Sequence, residues 1–137
     1  MEPDILIIEI NRKGFEMANV MRYLEDLCKS ADEAGKSAVA ALEVQPMVVQ
    51  DQRTGQQWLV GDGVCGFAWV NLKPGNCALA KYMKNNKIAR TDSYNGGVQI
   101  WVSAYGQSMQ KKEAYAYAYA EVLKKDGYKA YAGSRMD

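Results

Sequence analysis

Val64-Cys65-Gly66-Phe67-Ala68-Trp69-Val70-Asn71-Leu72 alternates small or branched residues with aromatic ones, the two-residue period of a β-strand. Lys73-Pro74-Gly75-Asn76 then forms a turn whose last residue suits a helix N-cap, and Leu79, Tyr82 and Met83 give the helix a buried stripe. Asn85-Asn86 ends it. Ile88–Ser93 and Val98–Ser103 flank Tyr94-Asn95-Gly96-Gly97, whose residues tolerate positive φ, so the two segments make a hairpin. From about Gln110, Tyr115, Ala118, Tyr119, Val122 and Leu123 line one face of a second helix. Gly127 followed by Tyr128 suits a Schellman stop, and Tyr128–Gly133 is a last strand. The order βαββαβ over residues 61–137 predicts an α+β, ferredoxin-like split-βαβ sandwich, two helices covering one face of an antiparallel sheet.

Upstream of this unit the reading is less regular. Asp4-Ile5-Leu6-Ile7-Ile8-Glu9-Ile10 is a β-branched run bounded by Pro3 and Gly14, which predicts a strand-like arm apolar on both faces. Met17, Val20, Met21, Leu24, Leu27, Cys28 and Ala31 recur at steps of three and four, the mark of a long amphipathic helix from about Phe15 to Gln45. Gly35 is the expected place for a break or bend. Met47–Gln50 and Gln57–Val60 flank turn-forming residues and predict a β-hairpin. Residues 1–60 thus form an arm, helix and hairpin packed as one unit with 61–137.

The strand alternation of the second half sorts side chains onto two faces. Val64, Gly66, Ala68, Val70, Val98, Ile100, Val102, Ala130 and Ala132 suit packing beneath helices that bring Tyr82, Tyr115 and Tyr119. The other face carries Cys65, Phe67, Trp69, Gln99, Trp101, Lys129 and Tyr131. An aromatic face of that kind needs cover or marks an interaction surface. The cover is the long helix, another subunit, or unstacked bases of a nucleic acid, with Lys73, Lys81, Lys84, Lys87 and Arg90 as a basic track in which Lys81, Lys84 and Arg90 are the binding candidates. Against the last, Gly97-Val98-Gln99-Ile100-Trp101-Val102 lacks the RNP1 pattern. Tyr117, opposite Tyr115 and Tyr119 on the helix, is a further contact candidate.

Composition narrows the chemistry. The 137 residues contain no histidine, which excludes Ser-His-Asp and Cys-His nucleophiles and every His-ligated metal site. Gly61-Asp62-Gly63-Val64-Cys65-Gly66 matches GxGxxG, but the chain continues as strand where a dinucleotide site needs a helix N-terminus. Cys65 has no readable base, and Asp62 and Asp92 read as turn caps. No catalytic residue, metal or cofactor is expected. Three cysteines without CxxC spacing, a start without basic residues and no long apolar run fit a reducing setting, with neither secretion nor a membrane partner. The formal net charge is +1, yet residues 1–60 carry 6 basic and 10 acidic groups and residues 61–137 carry 11 and 6, an asymmetry suited to head-to-tail contact between copies or to docking of one half on the other.

Gly63–Val70, the Gly96-Gly97-Val98 strand start, the Tyr/Ala-rich helix and Gly133-Ser134-Arg135-Met136-Asp137 together resemble small uncharacterised proteins of tailed bacteriophages, over residues 63–137. The resemblance implies a virion component such as a capsid-decorating, neck or tail protein, located in the particle or the host cytoplasm. It implies contacts with copies of itself and other virion proteins, or an accessory protein that binds a host protein. Ile5, Ile7, Phe67, Trp69, Trp101, Tyr117 and Tyr131 are then the candidate interface residues.

Overall fold

The structure, a computed structural model, describes residues 3–43, 47–60 and 63–137; for residues 3–13, 15, 47 and 58–60 it describes the backbone alone. The protein is α+β, with three helices and a four-stranded antiparallel sheet among the described residues.

Helix α1 runs unbroken over Pro3–Ala41, so the arm expected as a strand at Asp4–Ile10 is helical. A run of isoleucines reads alike in a buried strand and in a helix, and here the helical period of the following residues extends back through it. At 1.5 Å per residue its 39 residues span about 58 Å. Nor does Gly35 break the helix. A Cβ at Gly35 would fall inside the ring of Tyr115, so the glycine serves a close helix–helix approach. The hairpin forms as expected, β1 (Met47–Gln50) pairing with β2 (Gln57–Val60) in a sheet of their own. Asp62 and the start of the GxGxxG match lie outside the described residues; β3 begins at that match's last glycine.

Strand β3 (Gly66–Lys73) leads to α2 (Ala78–Asn85), then β4 (Arg90–Thr91), β5 (Val98–Trp101), α3 (Met109–Lys125) and β6 (Lys129–Met136). The sheet order is β4-β5-β3-β6. Cys77, not Asn76, caps α2, its Sγ accepting from the Ala80 N–H at 3.4 Å. Helix α3 stops as its sequence predicts: Gly127 takes φ 92°, and the Tyr128 and Gly127 N–H groups donate to the Leu123 and Lys124 carbonyls.

Ala68, Val70, Leu72, Val98, Ile100 and Ala130 are buried on one face of the sheet, with Leu79 and Met83 of α2 and Ala116, Ala120 and Leu123 of α3 in the same core. Alanines at four-residue spacing let α3 approach the strands closely. Lys112, one turn earlier, is also buried and donates from Nζ to the Gly66 carbonyl at 3.2 Å. The other side of α3 carries Tyr115 and Tyr119, and there α1 packs, with Leu24, Leu27, Cys28 and Ala31 buried. The layers are sheet, helix and outer helix. Each leucine so buried contributes about 1.5–3 kcal/mol, which fixes α1 on α3 and leaves the opposite face of the sheet uncovered by it.

Candidate interaction surface

The uncovered face is built from alternate residues of four strands. Register sets Trp69 opposite Trp101 on β5 and opposite Gly133 on β6, and Phe67 opposite Arg135. Phe67 and Trp69 on β3 and Trp101 on β5 therefore stand on the two central strands. The Trp69 and Trp101 rings are stacked, centroids 6.1 Å apart and planes 2° from parallel, and Phe67 lies 5.5 Å from Trp101. Gly133 makes room for this: a Cβ there would sit 2.7 Å from the Trp69 indole. Trp101 keeps 38% of its surface exposed and Tyr131 58%.

Each margin of the aromatic cluster holds a cation. The Arg90 guanidinium lies 5.8 Å from the Trp101 ring centre, Arg135 5.9 Å from Phe67 and Lys124 5.4 Å from Tyr131. Arg90 is held in place by Nε and Nη2, which donate to Gln99 Oε1 at 3.2 and 3.1 Å. At the β4 edge the face opens into a groove of about 630 Å³ lined by Lys84, Lys87, Arg90, Gln99, Trp101 and Ser103, with Ile88 and Ala89 as its aliphatic part. Of the lysines singled out in the sequence, Lys84 reaches this groove and Lys81 stays exposed on α2 away from it. Lys87, part of the same basic track in the sequence, lines the groove as well. Arg135 fell beyond the expected end of the last strand, which in fact stays paired with β3 as far as Met136.

The remaining candidates lie elsewhere. Tyr117 is 54% exposed on α3, the helix behind the sheet, and does not join the aromatic cluster. Ile5 and Ile7 are on α1, and their side chains are not among those described. Asp92 caps its turn as expected: Oδ1 accepts from the Asn95 and Tyr94 N–H groups at 2.8 and 3.1 Å, and Oδ2 from Asn71 Nδ2 at 3.2 Å. The Asn95 backbone N–H foremost holds this carboxyl below the usual carboxylate range.

A second concavity, about 550 Å³, lies where α1 meets α3 and the end of β5, lined by Cys28, Asp32, Tyr82, Tyr105, Tyr115 and Tyr119 among others. Tyr115 donates its hydroxyl to Asp32, which lowers the carboxyl. Burial pushes the Cys28 thiol up to about 11 and the Tyr115 and Tyr119 phenols well above their ordinary value. These groups are neutral near pH 7, so the cleft presents neither a thiolate nor a phenolate nucleophile. Among the described residues no group of His, Cys, Asp or Glu is arranged to hold a metal ion, and no helix is long and apolar enough to cross a membrane. Comparison with protein-family models, curated proteins and solved structures found no match to the chain.

Proposed function

We propose that the chain is a non-enzymatic structural protein that assembles with copies of itself, a component of a tailed-phage particle such as its capsid decoration, neck or tail, present in the virion or the host cytoplasm. Its second half is read as a ferredoxin-like split-βαβ unit, a reading supported by the βαββαβ order together with the sheet order β4-β5-β3-β6.

The observation that carries self-assembly is the exposed apolar stretch of α1 at Met17, Val20, Met21 and Tyr23. In seven-residue steps, Met17, Leu24 and Ala31, and likewise Val20 and Leu27, fall on one stripe of the helix. The α3 helix buries that stripe at Leu24, Leu27 and Ala31, whereas Met17, 69% exposed, and Val20 lie beyond its reach, as do the exposed Met21 and Tyr23. A helix without tertiary cover is marginal in water. A second α1 running antiparallel along this stripe covers it while keeping the two folded bodies at opposite ends. Size-exclusion light scattering at two concentrations tests the reading: it expects a discrete oligomer, and a monomer at both concentrations contradicts it.

A further inference from the structure

We propose that the open sheet face binds single-stranded nucleic acid, with bases stacked on Trp101, Trp69 and Phe67 and the phosphates running along the groove at the β4 edge. The inference uses a different surface from the helix stripe and does not depend on self-assembly. Three observations converge on it.

The rings stand on the two central strands, on the face opposite the helices, with Phe67 and Trp69 half-buried, Trp101 exposed and centroid spacings of 5.5 and 6.1 Å. Any base offers a flat face, so stacking on rings of this kind tolerates sequence. The charge is also one-sided: the outward strand positions carry Lys73, Arg90, Lys129 and Arg135. Of the carboxylates at the margins, Asp92 is buried in its turn, Glu121 pairs with Lys124 at 3.4 Å and Asp137 lies one step past β6. With a net charge of +1 the whole chain supplies no long-range pull, so the attraction rests on the local cations of this face. Finally, the basic groove is continuous with the stack, because Trp101 and Arg90 belong to both. A strand stacking about two or three bases on the rings would pass its backbone directly to Arg90, Lys87 and Lys84.

The test is quenching of tryptophan fluorescence in the full chain by a short oligothymidylate and a short oligouridylate at low salt, with inorganic polyphosphate as the probe that has charge but no bases. Both oligonucleotides are expected to bind and quench, and polyphosphate to bind more weakly without quenching. Trp101→Ala should lower oligonucleotide affinity about tenfold or more, and Trp101→Phe should retain most of it. Arg90→Gln should reduce the dependence of log affinity on log salt by about one. If Trp101→Ala loses its native circular dichroism, Tyr131→Ala, at a more exposed ring, replaces it and should weaken binding severalfold. Absence of binding to either oligonucleotide at low salt overturns the proposal. So does polyphosphate competing as an equal while the aromatic variants bind like the parent, which would assign the face to acidic protein partners instead.

Discussion

Trp69 lies between Trp101 and Gly133, its indole stacked on the first and resting over the missing side chain of the second. The open face thus depends on a glycine in the edge strand β6. Gly133→Ala should push Trp69 off its seat, costing roughly 1–3 kcal/mol. Near-ultraviolet circular dichroism should change while the far-ultraviolet spectrum is kept; an unaltered near-ultraviolet spectrum would contradict the contact.

Gly35→Ala separates two opposing effects. In an exposed helix the change stabilises by about 1 kcal/mol, but here the new methyl enters the Tyr115 ring. Overpacking of that kind costs about 1–3 kcal/mol, so urea denaturation should give a net loss. A gain in stability would mean that α1 does not approach α3 at this point.

Alkaline pH should destabilise the fold from about pH 9 upward. Burial raises the Cys28 thiol from its ordinary 9.0 to about 11, and burial also raises Tyr115 and Tyr119 above their ordinary 10.0. The unfolded chain therefore releases these protons first, and the stability they contribute is complete below about pH 9 and falls as pH rises toward the folded values. Urea midpoints at pH 7.5 and 10 should differ in that direction, and less so in Cys28→Ala. Thiol labelling at pH 8 should modify exposed Cys65 quickly and Cys28 only in denaturant.

Asp92→Ala should cost about 1–3 kcal/mol, because it removes a carboxylate that accepts from the Asn95 and Tyr94 backbones and from Asn71. Its carboxyl is depressed, so its contribution is present above the ordinary carboxylate range and is lost as pH falls through the folded value. A denaturation midpoint equal to the parent's at pH 7 would contradict the role given to this turn.

The second half of the fold was legible because each of its signals is local. Alternation at Phe67–Leu72, the glycine pair at 96–97 and the Gly127-Tyr128 stop each fix an element without knowledge of distant contacts. The position of α1 was not legible. Tyr115 and Tyr119 are equally apolar whether they meet the sheet or another helix, and only the tertiary fit at Gly35, Asp32 and Cys28 decides for α1. The same ambiguity explains Asp4–Ile10, where β-branched residues extend a helix instead of forming a strand. For the open face, alternation alone identified Phe67, Trp69, Trp101 and Tyr131. Its cations were only partly legible, since Lys81 and Lys84 are neighbours in sequence but only Lys84 turns to the groove beside Arg90.

The central claim, self-assembly through the exposed stretch of α1 around Met17 and Val20, is tested most directly by sedimentation velocity on the chain and on a Met17→Glu, Val20→Glu double variant. Both residues are exposed in the single chain, so the variant should keep the parent's circular dichroism and denaturation midpoint. The account predicts a discrete oligomer for the parent and a monomer for the variant. An oligomer that survives both charges unchanged, or a parent that is monomeric at every concentration, would contradict it.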